Sequence, residues 1–446
     1  MNAGFRIAAR GVFDLGGREG EDMAVTPLVS HRRILFASLV GTSVEFYDFY
    51  IYATAAALVF PALFFPASDP ALAQLASYAS FSIAFFARPL GGLVFGHFGD
   101  RMGRKSTLVA SLMLMGISTV LIAFLPTYAM IGWVAPLLLS LLRFGQGLGL
   151  GGEWGGASLL AVENAPPGWA NRYGAFPPLG APVGFIFANG FFLLLGAFLS
   201  DDQFRDWGWR IPFLASACLV SLGLWVRVKL TETPAFVAAQ ESAPPPRIPV
   251  GELFREHWLP TLAGTVGTVA CFALFYISTV FIIGYATKGL GYDRELFLGA
   301  ELVAILFMAA GIWIASSLAD RSNATRILAI GCIATVATGL TIGWFVRADA
   351  LAMLFVWLAG GLFVMGFVYG PLGGWLPSLF PARVRYTGVS VTFNIGGIIG
   401  GGLTPLIAAT LVQRGGLVLV GYYLAAAAVL SLIGLALVAR KNALPG

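Results

Sequence analysis

Residues 258–286 read WLPTLAGTVGTVACFALFYISTVFIIGYA, and this run contains no charged side chain. A helix that crosses the hydrocarbon core of a bilayer needs about 20 predominantly apolar residues. An α-helix also satisfies its own backbone hydrogen bonds, which lipid cannot do. The stretch therefore predicts a membrane-spanning helix.

The composition of the whole chain fits the same environment. Of its 446 residues, 58% are hydrophobic and 11% are charged, whereas soluble domains carry about 25% charged residues. Too few polar side chains are present to cover the surface of a water-soluble globule. The net charge of +5 does not indicate nucleic-acid binding, because the basic residues are not clustered with exposed aromatic side chains.

Further apolar runs are separated by short charged or Gly/Pro-rich breaks, so the sequence predicts an all-α membrane protein with twelve transmembrane helices. The first six lie at about 34–60, 76–98, 106–126, 131–161, 173–199 and 209–228. The other six lie at about 258–286, 297–318, 327–346, 351–376, 386–412 and 417–439.

This spacing predicts two six-helix bundles, at residues 34–228 and 258–439, joined by a polar linker at 229–257. Tails at 1–33 and 440–446 flank them, and the first tail lacks the apolar core of a signal peptide. Most of the 27 Lys and Arg residues fall in the tails, the linker and alternate loops. Since basic loops face the cytoplasm, we expect an inner-membrane protein with both termini cytoplasmic.

The two predicted halves share a motif. Gly99-Asp100-Arg101 follows the second helix, and Ala319-Asp320-Arg321 follows the eighth. Repeated halves with a pathway between them are common in transporters.

The full loop at 99–105, GDRMGRK, resembles the signature loop of the major facilitator superfamily, whose two six-helix bundles alternate access to a central site. In that superfamily the loop latches the two bundles together. The loop at 320–326 lacks the usual glycine and arginine pair, which predicts a weaker latch in the second half. The resemblance assigns the latch to Gly99, Asp100, Arg101, Gly103 and Arg104, and to Asp320 and Arg321.

More specifically, the chain resembles the metabolite:proton symporters, which include carriers for shikimate, citrate, 2-oxoglutarate and proline/betaine. The resemblance extends from about residue 30 to the end of the chain. It implies proton-coupled symport of a small organic acid or zwitterion by a monomer, with the proton as coupling ion and no cofactor. It is carried by EFYDF at 45–49, ARPLGG at 87–92, RFGQG at 143–147 and GGEWGG at 151–156.

Gly147, Gly149 and Gly152 also satisfy the dinucleotide pattern GxGxxG. That motif requires a preceding strand and a following amphipathic helix, whereas both flanks here are predicted membrane helix. We interpret these glycines as a surface on which neighbouring helices approach closely. The three cysteines lie at unrelated spacings in apolar runs and predict no metal site.

Ionisable residues at membrane depth mark candidate functional sites. Glu45 and Asp48 are three residues apart on one helix, and they repel each other in a low dielectric, so at least one is expected to hold a proton. Asp48 lies where related sugar carriers have an acid, and Arg143 corresponds to the arginine that partners it there. We therefore expect Asp48, Arg143 and Glu45 to couple protons; the alternative is a structural ion pair.

Arg88 can hold a substrate carboxylate through two hydrogen bonds, or it can pair with Glu45 or Glu153 and only pack the bundle. Glu153 is predicted to lie in the substrate cavity or to pair with Arg88. At membrane depth the second half has Glu301 as its only ionisable residue. This half is expected to shape substrate fit through Tyr276, Tyr369, Trp375 and Asn394.

The sequence thus predicts a transporter for a carboxylate-bearing small molecule in the lipid bilayer. It does not predict an enzyme, because the predicted helices contain neither a metal-ligand cluster nor a nucleophile with its base. Two alternatives are an exporter of drug-like compounds and a non-transport membrane sensor. A sensor would require additional cytoplasmic domains.

Overall fold

The computed structural model describes residues 27–102, 104–228, 249–381 and 384–443, and these form helices joined by turns, without a strand. Twelve helical segments follow one another along the chain. They are α1 (Pro27–Leu58), α2 (Pro70–Met102), α3 (Arg104–Ile122), α4 (Val134–Glu163), α5 (Ala170–Phe198), α6 (Arg210–Val228), α7 (Trp258–Gly289), α8 (Arg294–Arg321), α9 (Ala324–Phe345), α10 (Leu351–Ser378), α11 (Arg385–Gly415) and α12 (Leu417–Ala443).

The predicted all-α membrane fold is confirmed. Within the described residues, nine helices are long and apolar enough to cross a membrane. A tenth is added when the bent pair Asp201–Gly208 and Arg210–Trp225 counts as one span. Helices α1 and α3 complete the set of twelve segments, and α3 contains a shorter apolar stretch at Val109–Ile122.

Some helix boundaries differ from the predicted ones. Helix α2 continues to Met102, so Gly99, Asp100 and Arg101 lie in its last turns and not in a loop. A single glycine is tolerated inside a helix, which explains why the glycine did not end α2. The predicted linker also contains a short helix, Pro249–Glu256, just before α7.

Two helices contain π-helical turns, which are rare and often mark functional sites. Helix α7 has two of them, at Ile277–Phe281 and Tyr285–Gly289. Helix α11 has one at Ile398–Gly402, and this turn packs against α2.

Helices α1–α6 form one bundle and α7–α12 form a second. Two helix pairs make the main contacts between the bundles, α5 with α8 and α2 with α11. The end of α4 also contacts α10 and α11. The candidate site lies along this seam and in the first bundle beside it.

Glycines allow the close helix crossings of the first bundle. A methyl group on Gly149 of α4 would lie 2.6 Å from the Ser111 carbonyl oxygen and 2.8 Å from Met115 Cβ, both on α3. A methyl group on Gly147 would collide with the Ala84 backbone of α2. These contacts support a packing role for the GxGxxG glycines.

We predict that Gly149→Ala destabilises the protein, because the added methyl meets backbone atoms that cannot move aside. Overpacking of this kind costs about 1–3 kcal/mol, which should lower the melting temperature of the purified protein in detergent. Gly190→Ala in α5 is the matched control, since a methyl there meets nothing within 4 Å. Equal melting temperatures for the two variants would contradict the packing role.

Candidate functional site

Asp48 lies in the core of the first bundle and is 1% exposed. Ser216 of α6 donates a hydrogen bond to its Oδ1 at 2.5 Å. Thr119 of α3 lies 3.2 Å from its Oδ2. Three helices, α1, α3 and α6, therefore position the carboxyl group.

Asp48 is connected to Arg143 through two neutral side chains. Thr119 accepts a hydrogen bond from Gln146 Nε2 at 2.8 Å. Gln146 Oε1 in turn accepts one from Arg143 Nη1 at 3.0 Å. We call Asp48, Thr119, Gln146 and Arg143 the Asp48 relay. The direct pairing that the resemblance implied for Asp48 and Arg143 is not formed, because Thr119 and Gln146 lie between them.

The Thr119 hydroxyl has one proton and a choice of two acceptors. Its oxygen lies 2.9 Å from the Met115 carbonyl oxygen and 3.2 Å from Asp48 Oδ2. A hydroxyl donates only one hydrogen bond but accepts up to two. When the Thr119 hydroxyl donates to the Met115 carbonyl, it can only accept from Asp48. The Asp48 carboxyl group must then be protonated and donate its own hydrogen bond to Thr119. When Asp48 is ionised, Thr119 must donate to it. The relay therefore accommodates both protonation states through one hydroxyl rotation.

Two buried arginines share an aromatic ring beside this relay. The guanidinium carbon of Arg88 lies 4.6 Å from the Phe49 ring centre, and that of Arg143 lies 4.4 Å from it. The guanidinium carbon of Arg143 also lies 4.0 Å from the Tyr52 ring centre, and that of Arg88 lies 4.8 Å from the Phe85 ring centre. Both cations are therefore held mainly by the faces of aromatic rings.

Neither arginine takes part in an ion pair among the described residues. Arg88 Nε and Arg143 Nη2 are buried and have no hydrogen-bond partner in the described part of the chain. Aromatic faces attract a cation but accept no hydrogen bond in the plane of the guanidinium. These in-plane N–H groups are therefore available to an anionic ligand.

Tyr276 brings the second bundle to this cluster. The centre of its ring lies 5.4 Å from that of Phe85, 5.5 Å from that of Phe81 and 6.1 Å from that of Phe49. The predicted site residues Asp48, Arg88, Arg143 and Tyr276 are thus brought together. Glu45 is buried on α1 one turn before Asp48. We call Arg88, Arg143, Phe49, Phe85 and Tyr276 the arginine cluster.

Two other predicted substrate residues take part in contacts that close the seam. Trp154 stacks on Phe393 with a ring separation of 3.6 Å and an angle of 3°. Trp154 Nε1 donates to the Tyr369 hydroxyl at 3.0 Å, and Asn394 Nδ2 donates to the Gly151 carbonyl at 2.7 Å. Tyr369 and Asn394 therefore hold the two bundles together in this structure.

The remaining two predicted substrate residues lie elsewhere. Glu153 accepts a hydrogen bond from Ser111 of α3 at 3.1 Å, inside the first bundle. Trp375 donates to Thr325 at 3.0 Å and lines a cavity of about 390 Å³ near the ends of α7 and α12. Trp375 thus belongs to a different part of the second bundle from Tyr276.

Asp320 joins the two bundles at the end where α7 begins. It accepts hydrogen bonds from the backbone N–H groups of Asn171 and Arg172 at 2.8 and 3.1 Å. It also accepts from Asn171 Nδ2 at 3.1 Å and Arg172 Nε at 2.9 Å. The missing glycine and arginine pair does not prevent this contact, and Arg321 is exposed beside it. We call Asp320, Asn171 and Arg172 the Asp320 latch.

The latch role of the loop at 99–105 stays a prediction. The side chains of Asp100, Arg101 and Arg104, and all of Gly103, lie outside the residues that the structure describes in that detail. Gly99 is a helical residue near the end of α2.

The opposite end of the seam is closed as well. Lys288 Nζ donates to the Ala57 carbonyl at 2.9 Å and to Gln74 Oε1 at 2.8 Å. The Tyr78 hydroxyl donates to the Val280 carbonyl at 3.2 Å. With the Asp320 latch and the Trp154 stack also formed, the bundles touch at both ends and between them.

Comparison with known proteins identifies the family. Residues 34–244 match the family described as Sugar (and other) transporter. The inner membrane metabolite transport protein YhjE of Escherichia coli (strain K12) is 50% identical over 417 residues, which cover 92% of this chain and 95% of that protein. The chain is a metabolite transporter of the major facilitator superfamily. It is therefore a membrane transporter and not an enzyme.

The chain is also similar to a second curated transporter and to a solved transporter structure. The shikimate transporter of Escherichia coli (strain K12) is 38% identical over 401 residues, covering 88% of this chain and 90% of the relative. A crystal structure of a D-xylose-proton symporter superposes with a TM-score of 0.71 and covers 90% of this chain and 97% of that chain. Its sequence identity of 16% supports a shared fold alone.

We predict that Asp320→Asn opens the end of the transporter at which α7 begins. Hydrogen bonds to a charged group contribute about 1.5–3 kcal/mol, so the open fraction should rise roughly tenfold or more. Spin labels on Pro167 and Glu256, both exposed, would report the distance between the bundles.

Asp293→Asn is the matched control, because Asp293 accepts a hydrogen bond from Leu296 N within the second bundle. It should leave the distance between the labels unchanged. An unchanged distance in Asp320→Asn as well would show that the latch does not hold this end closed.

Proposed function

We propose that this transporter carries a small organic acid or zwitterion across the cytoplasmic membrane by alternating access, together with a proton bound at Asp48. Both termini would be cytoplasmic, as the distribution of basic residues indicates. The observation that carries the proposal is the arginine cluster, in which two buried cations have no carboxylate partner among the described residues. One of them, Arg143, is joined through two neutral side chains to the buried acid Asp48.

The arginine cluster favours a carboxylate-bearing solute. A buried charge without a counterion is costly, and adding a well-placed opposite charge recovers part of that cost. A carboxylate can bind a guanidinium in its plane through two parallel hydrogen bonds while the ring faces stay in contact. Shikimate, for which one relative is named, has one carboxylate.

Asp48 suits a proton carrier because its surroundings accept either protonation state. The rotation of the Thr119 hydroxyl changes which oxygen it donates to, and Thr119 is also the acceptor for Gln146. Gln146 is in turn the hydrogen-bond acceptor for Arg143. Loss of the Asp48 proton would therefore rearrange the contacts that fix Arg143, which lies against the ring it shares with Arg88. Proton release and solute release would be coupled through this path.

Uptake into proteoliposomes tests the proposal, using labelled shikimate, citrate, 2-oxoglutarate, an aromatic acid and glycine betaine. We expect one solute to accumulate under an inward proton gradient and to be lost when a protonophore is added. Accumulation that persists with the protonophore would overturn proton coupling.

We predict that Asp48→Asn abolishes this accumulation but retains exchange of labelled for unlabelled solute, because amide and acid have the same shape and only the acid releases a proton. Uptake should fall at least tenfold in the gradient assay and much less in the exchange assay. Asp202→Asn, at an exposed position, is the control. Full gradient-driven accumulation by Asp48→Asn would rule out the proton site.

We predict that Arg88→Lys raises the KM for the transported solute. Lysine keeps the charge but loses the planar pair of donors, and charge-assisted hydrogen bonds contribute about 1.5–3 kcal/mol. The KM should rise roughly tenfold to a hundredfold, and more in Arg88→Gln. Arg414→Gln, which changes an exposed arginine, should behave as wild type. A KM unchanged in both Arg88 variants would indicate that Arg88 only packs the bundle.

A further inference from the structure

Glu301 is a buried acid that the proposed transport path does not use. It lies on α8 with 0% of its surface exposed. Neither of its carboxyl oxygens has a hydrogen-bond partner among the residues that the structure describes. It belongs neither to the Asp48 relay nor to the arginine cluster.

Within the described ranges, the elements that make the main contacts with α8 place no hydrogen-bonded counterion on Glu301. These elements are α5, α9, α10 and the π-helical turn Tyr285–Gly289 of α7. None of their ionisable side chains bonds to a Glu301 oxygen. They are Arg172, Tyr173, Tyr285, Lys288, Arg326, Cys332 and Tyr369.

An ionised carboxylate at membrane depth without a partner is strongly disfavoured, and such a group takes up a proton instead. Glu301 is therefore neutral in this closed structure. It can ionise only where water or a cation reaches it.

The position of Glu301 along α8 shows which end of the seam lies nearer to it. A methyl on Gly196 of α5 would touch the Glu295 carboxylate on α8, and the Phe176 and Trp313 rings of the same two helices lie 6.3 Å apart. Helices α5 and α8 thus run in opposite directions. Glu301 follows Glu295 by six residues, which at 1.5 Å per residue places it about 9 Å along α8 from Glu295, in the half of the helix nearer the end that Lys288 closes.

Asn189 of α5 comes seven residues before Gly196, the residue that lies against Glu295. Because the two helices are antiparallel, Asn189 lies at about the same depth as Glu301. Its Oδ1 accepts a hydrogen bond from Thr54 at 2.5 Å, whereas its Nδ2 is buried without a partner. Two unsatisfied polar groups thus lie at one depth, on the pair of helices that join the bundles. Glu301 lies two turns before Met308, on the face of α8 that packs against α10, whereas Asn189 bonds to Thr54 of α1. Opening of the seam at the Lys288 end would bring water to within about two helical turns of both groups.

We propose that Glu301 is a second proton-binding site, which must take up a proton from the water at the Lys288 end before that end can close. Opening hydrates the carboxyl group and lets it release the proton to water. Closure requires the neutral acid and is therefore favoured at low pH and lost as the pH rises. This proposal rests on alternating access in the proposed function but not on proton transfer at Asp48.

The test measures closure of this end against pH. Spin labels on Ser68 and Asp349, which are exposed in the α1–α2 and α9–α10 connections, would report the separation of the bundles. The exposed Cys218 is first replaced by Ser. In wild type we expect the closed fraction to fall with rising pH. In Glu301→Gln, which imitates the neutral acid, the closed fraction should not respond to pH.

Asp48→Asn is the comparison variant and should keep the pH response at this end. A pH response in Glu301→Gln equal to that of wild type would overturn the proposal. Loss of the response in Asp48→Asn but not in Glu301→Gln would assign it to Asp48 and also overturn it. Failed accumulation in the uptake assay, with the pH response intact, would affect only the proposed function.

Infrared spectroscopy gives a second readout that does not depend on the labels. The carbonyl stretch of a protonated carboxyl group should be present in wild type at neutral pH, and Glu301→Gln should lose one such component. An unchanged band would show that Glu301 is ionised in the closed protein, which contradicts the proposal.

Discussion

The high cost of charge in a medium without water is the constraint on which this structure depends. Arg143 is fully buried, and the first bundle surrounds it with aromatic faces, an amide and a backbone carbonyl. The nearest acid in its hydrogen-bonded path is two side chains away. This arrangement keeps the cation in place without neutralising it completely, so a bound anion still gains from its presence. Helices α1, α2 and α4 supply the groups around Arg143, and Thr119 of α3 fixes the Gln146 amide.

Many hydrogen bonds between the bundles run from a side chain to a backbone carbonyl, as for Lys288 and Ala57 at one end and Ser158 and Gly373 at the other. When the bundles part, water can replace such a partner on each side at little net cost. The Asp320 latch differs because its acceptor is a carboxylate facing two backbone N–H groups. The end that Lys288 closes also has a charged contact between the bundles, because Arg294 of α8 lies 3.2 Å from the Asp201 carboxylate.

The sequence was sufficient to predict the helices and the buried charges, because apolar runs and ionisable residues within them are strong signals. It was not sufficient to predict Thr119, Gln146 and Ser216 as neighbours of Asp48. Neutral polar residues are common in membrane helices, so their presence does not indicate which of them lie near a buried charge. Gln146 had one indication, its position three residues after Arg143 on the same helix. The contacts of Tyr369 and Asn394 depend on how the two bundles pack against each other. A local sequence pattern does not predict that packing.

The π-helical turns of α7 and α11 have a consequence for how these helices evolve and how they are compared. Adding or removing one residue in a regular α-helix rotates everything beyond it by about 100°, which would turn a buried face towards lipid. A π-helical turn holds one extra residue locally and leaves the helix on either side intact. The turn Ile277–Phe281 lies between Tyr276 and Lys288, and Lys288 itself lies in the turn Tyr285–Gly289, so their relative orientation is not that of a uniform helix. An alignment of α7 with a relative that lacks either turn would therefore keep one of the two residues in register and misplace the other.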